Sequence, residues 1–144
     1  MTSTTAPLSA PLYGASFGQA FTRFFKKYAT FSGRASRSEF WWWFLANFII
    51  SGVLYGVAGA TGGVTVLTNA SGIPEIVYGA GFLPYSLWVL ATIVPWLALA
   101  WRRLHDTNKS GAFYFLGLIP FVGGIIVLIF FLLPSDPAGA RFDK

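Results

Sequence analysis

The chain has 144 residues, of which 55% are hydrophobic and only 10% charged, with a net charge of +5 and no cysteine. A soluble domain carries about 25% charged residues, so this chain lacks the polar surface to stay in water and its solvent is lipid; the missing cysteine excludes disulfides, iron–sulfur clusters and thiolate zinc sites. One histidine and five scattered carboxylates argue against a metal cage or a bound cofactor, and basic residues clustered beside apolar runs point to membrane topology, with no nucleic acid as partner.

Residues 1–15 are Thr, Ser, Ala and Pro with little else. They lack the basic start and apolar core of a signal peptide, and their composition predicts a disordered tail. Residues 16–31 differ. Phe17, Phe21, Phe24, Phe25 and Tyr28 recur at helical spacing, with Arg23, Lys26 and Lys27 largely between them. Such a basic amphipathic helix lies in the headgroup plane of an anionic leaflet; the alternative is a helix packed on the rest of the protein.

Three apolar segments follow. Residues 40–60 carry no charge over about 21 residues, enough to cross roughly 30 Å of hydrocarbon, and open with Phe40, Trp41, Trp42 and Trp43, a residue type that settles at the interface. Ala58-Gly59-Ala60 resembles a signal-peptidase site, but the run before it is long for that purpose and reads as an uncleaved anchor. Residues 61–80, rich in Gly, Thr, Ser and Asn, read as a loop. Residues 81–101 form the second span, with Pro84 and Pro95 in it; each removes a backbone donor and can kink a helix. Residues 112–133 form the third. Its middle, Ile119-Pro120-Phe121-Val122-Gly123-Gly124, leaves halves too short to cross alone. One kinked span is expected, and a re-entrant hairpin is the alternative. Residues 134–144 read as a polar tail. The expected fold class is all-α: an integral membrane bundle of about three transmembrane helices preceded by an amphipathic interfacial helix.

Lys and Arg flank the first span on its amino-terminal side and return at Arg102, Arg103 and Lys109, while residues 61–80 have none. The positive-inside rule then puts the amino terminus and the 102–109 loop in the cytoplasm. Three crossings place the carboxy-terminal tail outside; a re-entrant third segment returns it to the cytoplasm.

Two polar motifs share that face. In the first, 31–40, Ser36 is placed to cap the following helix, with Glu39 three residues on completing a capping box. Arg34 and Arg37 offer guanidinium forks suited to a lipid phosphate. In the second, 101–111, Arg102, His105 and Asp106 fall on one helical face. Asp106 has Arg102 in its own helix, or Arg34 and Arg37 across helices, as prospective partners. Thr107 to Gly111 form a turn. The candidate site for an anionic ligand or lipid headgroup is Arg34, Arg37, Arg102, Arg103 and His105, with Ser36, Glu39, Asp106 and Asn108 as structural polar partners; no catalytic or metal-ligating residue is assigned. The competing reading makes these residues topological anchors and helix-end ion pairs.

The strings GRASRSEFWWW (33–43) and WRRLHDTNKSG (101–111), followed by Leu118-Ile119-Pro120, resemble the bacterial inner-membrane family catalogued as domain of unknown function 805. The resemblance covers about residues 17–141. Gly139-Ala140-Arg141-Phe142-Asp143 keeps only part of the family's terminal Gly-x-Asn-Arg-aromatic-Gly pattern. The resemblance implies a bacterial plasma-membrane address and no reaction.

The leading functional expectation is a non-enzymatic envelope adaptor or regulator whose cytoplasmic arginine cluster engages anionic lipid headgroups or a partner protein, alone or as a homo-oligomer. An oligomeric transporter or channel component is the alternative, weakened by the lack of charge inside any span. An enzyme acting on a lipid or phosphate would rest on His105 and Asp106, with no nucleophile motif beside them.

Overall fold

The computed structural model describes residues 6–143; residues 1–5 of the expected tail, and Lys144, lie outside them. The chain divides into two compact units, the first running up to Phe44 and resuming at Val94, the second being Leu45–Ile93.

In the first unit, helix α1 (Phe17–Lys26) starts on a capping box in which Ser16 Oγ accepts from Gln19 N and Gln19 Oε1 accepts from Ser16 N. Helix α2 (Arg37–Ala60) starts on the box expected from sequence: Glu39 N donates to Ser36 Oγ, and Ser36 N to Glu39 Oε2 at 2.9 Å. The two helices meet through aromatic rings, Phe24 stacking on Trp43 with centroids 3.4 Å apart. The basic side of α1 therefore does not face a leaflet throughout. Arg23 and Lys27 turn inward and are buried, while Phe17 and Phe25 are exposed. The helical spacing is there, but two of the three basic residues, Arg23 and Lys27, serve a protein interior, while Lys26 is exposed.

Residues 6–15, expected to be disordered, lie against these helices. Leu12 N donates to Glu39 Oε2 at 3.0 Å, and Arg23 Nη1 reaches the Ala6 carbonyl at 3.0 Å. Buried hydrogen-bond partners, which composition does not display, hold this low-complexity stretch.

Helix α3 (Leu83–Asp106) ends where Asn108 takes a left-handed conformation, φ 58°, the geometry that closes helices. The segment expected as a third span is not one helix. A 3₁₀ segment, Gly111–Leu118, leads to a tip at residues 119–122 and then to helix α4 (Gly123–Leu132). Ile119 is extended (φ −70°, ψ 120°), as a residue preceding proline must tend to be, and Phe121 has φ 67°. The arms fold back on each other: Phe113 meets Phe130 at 5.9 Å and Tyr114 meets Phe131 at 6.5 Å between centroids. Ten residues of α4 make about 15 Å of helix, half of a bilayer core. The returning arm ends beside α3: Arg103 Nε donates to the Phe131 carbonyl at 3.1 Å, and Asp136 N to the Asp106 carbonyl at 2.7 Å.

The hairpin closes at Gly123, where an added methyl would overlap the Leu116 carbonyl oxygen. Gly123→Ala is expected to cost about 1–3 kcal/mol, the usual range for overpacking, seen as a lower midpoint of thermal unfolding in detergent. An unchanged midpoint would contradict this closure.

In the second unit, α2 and α3 are joined by a two-stranded antiparallel ribbon, β1 (Val64–Thr68) and β2 (Pro74–Tyr78), in register Val64↔Tyr78. Asn69 Oδ1 accepts from Ser71 N and Ile73 N to fix its turn, with Gly72 at φ 78°. The ribbon corrects the expectation of a plain loop and of an all-α chain. Val-Thr-Val-Leu-Thr and Ile-Val-Tyr are strand-forming runs, masked at sequence level by the glycines around them. Trp88 Nε1 donates to Asn47 Oδ1 at 3.0 Å, and Tyr55 packs on Tyr85. Among the described residues, two helices are long and apolar enough to cross a membrane. The protein is thus mostly helical, with two candidate spans and a small sheet.

Candidate functional site

The residues of both polar motifs fall in the first unit, where two buried carboxylates organise them. Asp106, fully buried, accepts from Arg103 Nη1 at 2.8 Å, from Tyr13 OH at 3.0 Å and from Ser135 Oγ. Arg34 Nη1 stands 3.9 Å from it. Arg103 also donates to the carbonyls of Phe131 and Leu133, which are left open at the end of α4. One guanidinium therefore fastens the hairpin's returning arm to α3. The expected partner of Asp106 within α3 is Arg103 rather than Arg102; the expected cross-helix partner Arg34 is there.

Glu39, 2% exposed, takes Arg23 Nε, Leu12 N and Ser36 N. Lys27 and Arg102 lie buried near it, and neither Lys27 Nζ nor Arg102 Nη2 has a hydrogen-bond partner among the described residues. Arg102 Nε is turned back to the Ala98 carbonyl at 3.1 Å. Burial pushes the Lys27 amine down to about 7; the Arg102 guanidinium adds to that fall, and Glu39 opposes it.

The third group docks the carboxy-terminal residues, where Pro137–Phe142 form a 3₁₀ turn. His105 Nδ1 donates to the Gly33 carbonyl at 2.9 Å, and its ring stacks on Phe142 with centroids 4.1 Å apart. Gly33 N donates to the Phe142 carbonyl at 2.7 Å. Arg34 grips Asp143 bidentately at 2.8–3.1 Å, and these bonds raise its affinity for its proton.

The five predicted ligand residues are thus brought to one region but not to one open surface. Arg102, Arg103 and His105 are buried, and Arg34 is half-buried in ion pairs. Arg37 is the exception. It is exposed and makes no ion pair or hydrogen bond among the described residues. With Tyr13, Gly14, Ser36, Ser38, Pro134 and Ser135 it lines a polar cavity of about 500 Å³. The hydroxyl protons there are committed: Tyr13 and Ser135 donate to Asp106, and Ser36 to the Leu12 carbonyl. Among these side chains, Arg37 is the one with donors to offer. Asn108 shapes the end of α3 and contacts Arg141 through its carbonyl.

Sequence reasoning missed Tyr13, Ser135 and Asp143 as members of this network, and the inward turn of Arg23 and Lys27. Asp143 carried a signal, as one of five carboxylates in a chain with ten Lys and Arg, where each carboxylate is in demand. Tyr13 and Ser135 carried none. Among the described residues, no three His, Asp or Glu side chains converge as metal ligands.

Comparison with known proteins agrees with the motif reading. Residues 28–144 match the family described as protein of unknown function (DUF805). Inner membrane protein YhaI of Escherichia coli strain K12 is 36% identical over 121 residues, covering 83% of this chain and 87% of that protein. Inner membrane protein YhaH of the same strain is 34% identical over 122 residues, covering 81% and 87%. No solved structure matches the chain.

Proposed function

Because the chain belongs to the DUF805 family, we propose that it is a bacterial inner-membrane protein acting without catalysis, as an adaptor or regulator of the envelope, and that Arg37 is its contact with anionic headgroups or a partner. In this reading α2 and α3 cross the bilayer and the hairpin of residues 111–132 dips in and returns. The amino-terminal residues, the end of α3 and the carboxy-terminal residues then share the cytoplasmic face. The charge pattern supports this: Arg23, Lys26, Lys27, Arg34, Arg37, Arg102, Arg103 and Lys109 gather there, while the connecting ribbon has neither Lys nor Arg.

The observation that carries the proposal is the contrast among the arginines. Arg34 and Arg103 are paired and Arg102 is turned inward, so the motifs chiefly lock the protein together. Arg37 is left exposed at the mouth of a polar cavity. A charge-assisted bond to a phosphate contributes about 1.5–3 kcal/mol. Purified protein is therefore expected to retain phosphatidylglycerol over phosphatidylcholine, and Arg37→Gln to lower that preference roughly tenfold or more without lowering the unfolding midpoint. Equal retention of the two lipids by the unaltered protein would sink the headgroup reading.

A further inference from the structure

A second, apolar cavity lies along the same face of α2 as Arg37. Arg37, Phe40, Trp41 and Phe44 are spaced i, i+3, i+4 and i+7, one stripe down α2. Arg37 lines the polar cavity, and the three aromatic residues line a second one of about 570 Å³. The returning hairpin arm keeps step on the opposite wall. Pro134 and Ser135 stand beside the polar cavity, and Phe131, Leu128 and Gly124 beside the apolar one. Phe40 and Phe131 touch across it with centroids 4.5 Å apart. A cationic chamber is thus followed, along a helix long enough to cross the bilayer, by an aromatic one.

Both volumes lie within the range of about 300–1,000 Å³ typical of ligand sites. Glycine makes part of the room: a Cβ at Gly124 would meet nothing within 4 Å. An apolar groove at bilayer depth is filled by hydrocarbon. The cation at its head selects which hydrocarbon.

A second copy of this chain is a poor match for that head. Of the five carboxylates, Glu39, Asp106 and Asp143 are engaged in ion pairs and Asp136 caps Ala138 N. The remaining one, Glu75, sits in the ribbon between the spans, and the proposed topology puts it across the membrane from Arg37.

We propose that this two-part groove seats one anionic glycerophospholipid, its phosphate on the Arg37 guanidinium and one acyl chain along Phe40, Trp41, Phe44 and Phe131. The inference rests on the headgroup reading of Arg37 and adds the chain site. Phosphate recognition then occurs beside the first turn of α2, whose dipole also favours an anion. The hydrocarbon gains contact with flat aromatic faces in place of other lipid tails.

The test uses the full chain in detergent. Dipalmitoyl phosphatidylglycerol, the matching phosphatidylcholine and the free headgroup glycerophosphoglycerol are titrated, and occupancy is read by native mass spectrometry. Acyl chains brominated near the headgroup report, by quenching, on tryptophans such as Trp41 and Trp96, which line the groove. One phosphatidylglycerol per chain is expected, with headgroup alone competing at least roughly a hundredfold more weakly. Gly124→Leu inserts a good helix former into open space, so helical content is preserved. It is expected to lower occupancy by both lipids roughly fivefold or more and to relieve quenching. Arg37→Gln is expected to abolish the choice between the lipids while quenching by a bound chain persists. Unchanged phosphatidylglycerol binding in Gly124→Leu would overturn the chain site and leave the Arg37 reading standing. An undiminished lipid preference in Arg37→Gln would overturn both. A lipid-free dimer that Gly124→Leu dissociates would assign the groove to a second copy and overturn the proposal.

Discussion

Asp106→Ala is expected to destabilise the protein by about 3–5 kcal/mol, the cost of leaving a buried charge without its partner. Asp106 is fully buried and holds Arg103, Tyr13 and Ser135 at once, with Arg34 at 3.9 Å. Its removal leaves the Arg103 guanidinium on carbonyl oxygens alone, in an interior that does not tolerate an unmatched cation. Because Arg103 also fastens the returning hairpin arm through Phe131 and Leu133, the loss should spread to α4 and to residues 134–143. Asp106→Asn keeps the shape and the acceptor oxygen, so a smaller loss is expected. The checks are the thermal unfolding midpoint in detergent and limited proteolysis of the carboxy-terminal residues, which should be cut first in the alanine variant. A midpoint within a degree of the unaltered protein would show that Arg103 does not depend on this carboxylate.

Glu39→Gln is the second large effect, of about 3–5 kcal/mol on the same grounds. Glutamine can still accept from Ser36 N and Leu12 N, so the start of α2 is kept and only the charge goes. Arg23, Lys27 and Arg102 then share an interior without the carboxylate that Arg23 grips. Lys27 makes this visible in pH. Its amine is pushed from 10.5 to about 7 in the folded protein, so between those values the unfolded chain binds more protons. Stability from this group therefore rises with pH across that window and is flat below it. Without Glu39, which opposes the downward shift, the lower limit of the window should move further down. Lys27→Met should remove the slope and recover part of the stability lost in Glu39→Gln. A double variant no more stable than Glu39→Gln alone would show that the cations do not repel one another there.

The two long helices were legible because an apolar run at a spanning length has few other uses. The Ser36–Glu39 box was legible because capping depends on residues three apart and on nothing else. The hairpin was half-legible: Ile119-Pro120 marked a break, but choosing between a kink and a reversal depends on Gly123 meeting Leu116, a contact set by folding. The arginine motifs were found by their strings, which left both the ion-pair reading and the ligand reading open. Positive charge beside an apolar run looks the same in one dimension whether it is left exposed, as Arg37 is, or turned onto Asp106, as Arg103 is. The pairing of Arg34 with Asp143, and of Tyr13 with Asp106, joins residues that only the tertiary structure brings together. Strand pairing within residues 61–80 was hidden for the same reason.

The docking of residues 137–143 onto Gly33, Arg34 and His105 has a consequence for the order of assembly. Arg34 and Asp143 are separated by 109 positions, so Arg34 is synthesised long before its carboxylate exists. Both long helices precede that carboxylate in the chain. Residues 137–143 then complete the contacts around Arg34. Until Phe142 and Asp143 are in place, Arg34 is unclasped and His105 lacks its stacking partner.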